Sequence, residues 1–262
     1  MTSEKELIKK YFIPLSKNKE SLELKNDGAW ILDKKYSFVI STDMMIEDTH
    51  FKKKDCPKML AKKILRVNLS DIAAMGAKQY GYVLNLALPK SKTKGWLKDF
   101  CDGLKEDQSF FKLKLFGGDL SISDKIFLSI TILGKVDNKK IHSLNTAKKN
   151  SDIYVSGKIG DSIMGYLLKS NKKFSFLKKI LDQSQTDYLH ESHQLPNPEL
   201  DLGSSLLNFA DSCTDISDGL LMELDKISKF SGIKANIFLE KIPLSDTLKK
   251  IFKVSSINKN KV

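Results

Sequence analysis

Apolar residues in this chain repeat at two spacings, and the alternation between them limits the folds open to it. Tyr80, Tyr82, Leu84, Leu86 and Leu88 fall at every second position, the mark of a strand with one covered face. Just upstream, Leu60, Ile64 and Val67 share one face of a helix. It opens at Asp55-Cys56-Pro57, an N-cap followed by proline in the first turn, and runs to Gly76. Trp96, Phe100 and Leu104 mark a second helix. Strands are expected near residues 29–32, 36–41, 112–116 and 125–134, and Ser3-Glu4-Lys5-Glu6 is a capping box for a short leading helix. The resulting order, ββαβαββ, predicts an α+β fold whose first domain is a mostly antiparallel sheet with helices on one face.

The polar, lysine-rich stretch Asp137–Asn150 reads as a boundary, which divides the chain into domains 1–137 and 138–262. In the second domain, strands are expected at residues 152–156 and 235–240. Helices are expected after Gly160-Asp161, over about 176–189, 202–210 and 219–230, and from Ser245. The two prolines of His193-Gln-Leu-Pro-Asn-Pro198 predict a loop.

Several function classes drop out early. The longest apolar stretches are strand-length, well short of the ~20 residues a membrane span needs, and the N-terminus lacks the apolar core of a secretory signal. The odd number of cysteines, three, with no C-x-x-C pair suggests neither a disulfide framework nor a thiolate zinc site. A cytoplasmic protein is expected. A net charge of +12 invites a nucleic-acid reading, but only one of the 44 basic residues, Arg66, is arginine. Arginine dominates bidentate phosphate and base contacts, and the lysines here are scattered. No nucleic-acid partner is expected. The usual phosphate loops, kinase signatures and H-E-x-x-H zinc motif are all absent from the sequence.

A set of aspartates remains, each beside small or hydroxyl residues at the edge of an expected element. They are Asn26-Asp27-Gly28, Ser41-Thr42-Asp43, Ser70-Asp71, Gly117-Gly118-Asp119 and Asp215-Ile-Ser-Asp218. Each alone reads as a turn or cap residue. Asp71 is harder to set aside, because it interrupts the apolar helical stretch Val67–Met75. Together they suit a hard cation, since magnesium takes oxygen ligands and bridges carboxylates to phosphates. Glu47 and Asp48 read as solvated loop charges.

The runs Asn26-Asp-Gly-Ala29, Ser41-Thr-Asp-Met-Met-Ile-Glu-Asp-Thr-His-Phe51, Val67-Asn-Leu-Ser-Asp-Ile-Ala-Ala-Met-Gly-Ala77, Phe116-Gly-Gly-Asp119 and Thr214-Asp-Ile-Ser-Asp-Gly-Leu220 resemble the thiamine-monophosphate kinase family. That family belongs to the superfamily of aminoimidazole ribonucleotide synthetase and selenophosphate synthetase. The resemblance implies ATP-dependent phosphorylation of thiamine monophosphate by direct in-line transfer, with ATP as co-substrate, several Mg2+ ions, no phosphoenzyme and a homodimer joined through the first-domain sheet. It implies Asp27, Ser41, Thr42, Asp43, Asp71, Asp119, Asp215 and Asp218 as metal ligands, Gly118 and Ser217 at the nucleotide, and His50 at the thiamine substrate. The family arginine that reaches ATP is replaced by Asn145, with Lys148 or Lys149 as substitute charges. The family's late Gly-Gly-Glu-Asp-Tyr-Glu-Leu block does not occur, so the second domain is expected to be incomplete. Alternative readings are a remnant that binds Mg-ATP without turnover, or another ATP-using synthetase of the superfamily.

Overall fold

The computed structural model describes residues 26, 29–32, 37–92, 94–136 and 140–254. The expected leading helix and Asp27 lie outside them. Among the described residues there are five strands and seven α-helices. The chain forms two compact units, each drawn from two stretches. One takes the described residues up to Ser151 together with Pro198–Ala235; the other takes Asp152–Asn197 together with those from Asn236 onward. A single cut near residue 137 therefore does not describe the division, because 198–235 packs with the first stretch.

In the first unit, strands β1 (Ala29–Leu32), β2 (Ser37–Ile46), β3 (Lys78–Leu88), β4 (Leu115–Ile122) and β5 (Phe127–Val136) form one sheet in the order β1-β2-β5-β3-β4. The β1/β2, β2/β5 and β3/β5 pairs are antiparallel, and β3/β4 is parallel. A parallel neighbour needs a crossover, and α2 (Gly95–Phe110) supplies it between β3 and β4. Helix α1 (Pro57–Ala74) lies against β2, β5 and β3. Its Leu60, Ile64, Leu65, Leu69 and Ile72 share a core with Val39, Tyr82, Leu128, Ile130 and Ile132 of the strands. Arg66 is part of the scaffold: its guanidinium donates two bonds to Asp107 on α2, at 2.6 and 3.0 Å, and lies over the Phe111 ring.

Strand β4 differs from expectation. It begins later than residue 112 and runs straight through Gly117-Gly118-Asp119, which the sequence placed in a turn. Gly118 is in register with Leu84 of β3 at φ +158°, and a Cβ there would come within 1.8 Å of the Leu84 carbonyl oxygen. Gly118 lets the strand lie close to its neighbour, and only a residue without Cβ fits there.

Helices α5 (Leu200–Ser205) and α6 (Leu220–Ser231) complete the first unit. A Cβ on Gly203 would sit 2.1 Å from the Ala73 carbonyl oxygen, so α5 touches the end of α1 backbone to backbone. In the second unit, α3 (Asp161–Ser170), α4 (Gln183–Gln194) and α7 (Asp246–Val254) enclose Met164, Leu168, Leu189, Leu248 and Ile251. Buried Asp161 accepts hydrogen bonds from Tyr188 Oη and Ser245 Oγ, both at 2.6 Å. The expected strands at 152–156 and 235–240 are not formed, and His193 lies in the last turn of α4 instead of starting a loop. Short polar-flanked apolar runs carry a strand signal, but a strand needs a ladder partner.

Candidate functional site

Strand pleating separates the three residues of the Ser41-Thr42-Asp43 run. Ser41 and Asp43 follow Val39 on the side facing α1, and the Ser41 hydroxyl donates to Asp71 Oδ2 at 2.6 Å. The Asp43 backbone N–H donates to Asn68 Oδ1 at 3.1 Å, while Asn68 Nδ2 donates to the Ile64 carbonyl oxygen at 2.8 Å. Asn68 is fully buried, and its amide is bonded at both ends, once within α1 and once across to β2. Thr42 points the other way. Its hydroxyl donates to the Ile130 carbonyl oxygen at 2.9 Å and accepts from Thr131 Oγ1 at 3.2 Å.

The turn Thr214–Gly219, just before α6, carries the second set of acids. Burial pushes the Asp215 carboxyl above the usual range. A hydrogen bond with Ser70 opposes that push, Glu223 and Asp43 add to it by like-charge repulsion, and Lys226 opposes it. Asp215 is thus close enough to Asp43 to feel its charge, across 172 residues of sequence. Burial also raises Asp43, with His50 acting against it. Asp218 is exposed; its backbone N–H donates to Glu223 Oε1 at 3.4 Å, and Lys226 Nζ stands 3.7 Å from its Oδ2. Ser217 is exposed on the same turn.

The fold therefore bonds Ser41 to Asp71 and brings Asp43 within electrostatic range of Asp215. Asp119 stands apart on exposed β4, accepting from Ser121 Oγ at 2.9 Å. Among the described residues, no group of three or more His, Cys, Asp or Glu side chains is close enough to hold a metal ion. His50 is exposed after β2, and its Nδ1 accepts the Ile46 N–H at 3.0 Å. That bond leaves the proton of the neutral ring on Nε2. Glu47 is not a solvated loop charge: it is 5% exposed, and its Oε2 accepts the Ile126 N–H at 3.0 Å. Glu47 also donates its backbone N–H to the Ile126 carbonyl oxygen at 3.0 Å, so two bonds tie the loop carrying His50 to the start of β5. Asp48 is exposed and pairs with Lys125 at 3.1 Å. Lys148 is ion-paired with Asp211, and Asn145 accepts from Ser143 at 2.7 Å.

Sequence reasoning missed Asn68, Ser70, Glu223 and Lys226. The only signal for the first two was their position beside Asp71 in an apolar helical stretch. Glu223 and Lys226 lie at ordinary i, i+3 spacing on a helix, indistinguishable by sequence from a surface ion pair.

Residues 25–136 match the family described as AIR synthase related protein, N-terminal domain. That stretch contains the five-stranded sheet, which is thus a domain of that class. The chain is 37% identical over 256 residues to the thiamine-monophosphate kinase of Buchnera aphidicola subsp. Schizaphis graminum, a match covering 96% of this chain and 77% of that protein. It is 34% identical over 245 residues to the Escherichia coli K12 enzyme of the same name, covering 92% and 73%. Among solved structures, AaThiL complexed with AMPPCP and TMP superposes at a TM-score of 0.86 and 25% identity, covering 99% of this chain and 82% of that one. Thiamine monophosphate kinase from Stenotrophomonas maltophilia K279a gives a TM-score of 0.76 at 27% identity, covering 97% and 79%. The chain belongs to the thiamine-monophosphate kinase family, a family of ATP-dependent phosphotransferases.

Proposed function

We propose that this chain transfers the γ-phosphoryl group of ATP to thiamine monophosphate by direct in-line displacement. A phosphate oxygen of thiamine monophosphate forms the new P–O bond as the bond to the β–γ bridging oxygen breaks. ADP leaves with that electron pair, and thiamine diphosphate is the other product. The observation that carries this reading is the Asp43–Asp215 pair, held by Asn68 and Ser70 of one helix in a chain similar to AaThiL, which was solved with AMPPCP and TMP.

The pair suits magnesium, which is typically bound by one or two carboxylates together with substrate phosphates and water. Both carboxyls are raised by burial, so in their charged form they lack a sufficient counter-charge from the protein. Mg2+ held there would bridge the phosphates and neutralise the charge that develops on them. Asp71 and Ser41, joined by their own hydrogen bond, belong to the proposal as ligands on the same face of β2 and α1. Asp27 and Asp218 belong to the proposal as further ligands at that pair, Thr42 and Asp119 as ligands of other ions elsewhere on the sheet, and Gly118 and Ser217 as nucleotide contacts. His50 would donate from Nε2 to a phosphate oxygen of the thiamine substrate, its ring held by the Ile46 N–H and its loop by Glu47.

Assembly and setting complete the proposal. The sheet face away from α1 exposes Met44 and Phe127, and the edge strand β4 exposes Phe116, Leu120 and Ile122, apolar surface that suits a second copy of the chain. The enzyme would work in the cytoplasm; among the described residues, no helix is long and apolar enough to cross a membrane.

The test is ADP formation from ATP, with and without thiamine monophosphate, across a magnesium series. ADP release that requires both thiamine monophosphate and magnesium supports the reading. Thermal stabilisation by Mg-ATP with no ADP release would instead favour a nucleotide-binding remnant.

A further inference from the structure

Lys226 stands one turn after Glu223 on α6. Glu223 is 1% exposed and is the buried residue of that helix. Its Oε1 accepts from Lys226 Nζ at 3.0 Å, and its Oε2 lies 2.9 Å from the same ammonium. A buried carboxylate needs such a partner, because an unpaired one is strongly unfavourable. That requirement accounts for the pair, but not for where its positive end points. The ammonium is also 3.7 Å from Asp218 Oδ2 and acts on Asp215. One cation thus faces three carboxylates around a single turn, and Glu223 additionally holds the turn by accepting the Asp218 N–H.

We propose that Lys226 is a resident counter-cation of the Thr214–Gly219 turn, kept in place by Glu223, and that its charge sets how tightly the Asp43–Asp215 pair takes a divalent ion. The inference rests on the reading of that pair as an ion site. A fixed positive charge at short range balances part of the turn's negative charge when no ion is bound, and it opposes the approach of one. Glu223 has the reverse effect. Removing Lys226's charge should therefore tighten ion binding, removing Glu223's charge should weaken it, and removing both should nearly cancel.

The experiment is a titration of the full chain with Mn2+ alone, followed by loss of the free-ion EPR signal, with folding checked by circular dichroism. Lys226→Gln should bind roughly tenfold tighter than the parent, Glu223→Gln roughly tenfold weaker, and the double variant within about twofold of the parent. Lys226→Arg should match the parent. If Lys226→Gln destabilises the chain by leaving Glu223 unpaired, Glu223→Gln and the double variant still carry the test, because neither leaves a buried carboxylate alone. A purely structural pair predicts weaker binding in all the neutral variants, and that pattern overturns the proposal. Asp215→Asn separates the two readings. If it abolishes Mn2+ binding while Lys226→Gln fails to tighten it, the counter-cation proposal alone falls. If it leaves binding intact, the ion site lies elsewhere and both fall.

Discussion

Asp215 comes within electrostatic range of Asp43 because a strand and a distant turn converge on one helix, and the ionisation of Asp215 records it. Burial raises both carboxyls, so the folded chain holds these protons to a higher pH than the unfolded chain does. Their contribution to stability is present in acid, and is lost as pH climbs from the ordinary aspartate value of 3.8 through the folded one. Asp43→Asn removes that penalty without touching the bond to Asn68, which uses the backbone N–H. The apo variant should melt roughly 2–4 °C higher at pH 7, with the difference shrinking as the pH is lowered toward about 4. Scanning calorimetry over that range checks both sign and window. The same variant should lose most of the melting-temperature gain that Mg-ATP gives the parent, since that gain arises from binding to the folded state alone. A lower apo melting point would instead mark Asp43 as a structural residue. Asn68 makes the complementary case. Fully buried and bonded at both ends, it should destabilise the chain by about 2–3 kcal/mol when changed to Ala, because the Asp43 N–H is left unpaired. Urea unfolding measures this.

At the level of elements, α1 was legible before any coordinates, because its signals are local. A proline in the first turn, an apolar face at helical spacing and a closing glycine all lie within the helix or beside it. Strand β4 was not legible in the same way. Two glycines followed by aspartate are ordinary turn chemistry, and only the parallel ladder with β3 holds them extended. The consequence can be tested at Gly118. An added Cβ would meet the Leu84 carbonyl oxygen at 1.8 Å, a backbone atom that cannot swing aside. Gly118→Ala should destabilise the chain by roughly 2–3 kcal/mol, and increase hydrogen exchange across β4. A variant with unchanged stability but weakened ATP binding would instead place the importance of this glycine at the nucleotide.

On the scale of the whole molecule, one face of the sheet is covered by α1, the other presents Met44 and Phe127, and the outer strand adds apolar side chains of its own. Leu120 is 55% and Ile122 62% exposed on the edge strand β4. Edge strands with such residues invite pairing or covering. Light scattering at micromolar concentration should give the mass of a dimer, and Leu120→Lys should shift it toward the monomer while leaving the far-ultraviolet circular dichroism unchanged. A monomer for the parent chain would remove the second copy from the proposed function.

The α+β class, the first helices and most strands of the sheet, and the family with its set of aspartates could all be read from the sequence. Spacing, capping and short motifs are written among near neighbours in the chain. Which aspartates meet could not be read there. Asp215 comes within electrostatic range of Asp43 because 198–235 packs with the described residues up to Ser151, and Asp119 lies on the outer strand β4 with β3 and β5 between it and β2. Nor could Glu47 and Glu223 be told from surface acids, since their burial depends on the Ile126 N–H and the Lys226 ammonium coming within reach. The physical reason is the same throughout. A residue's local conformation answers to its neighbours in sequence, whereas its charge, burial and partners answer to groups that only the folded chain brings near.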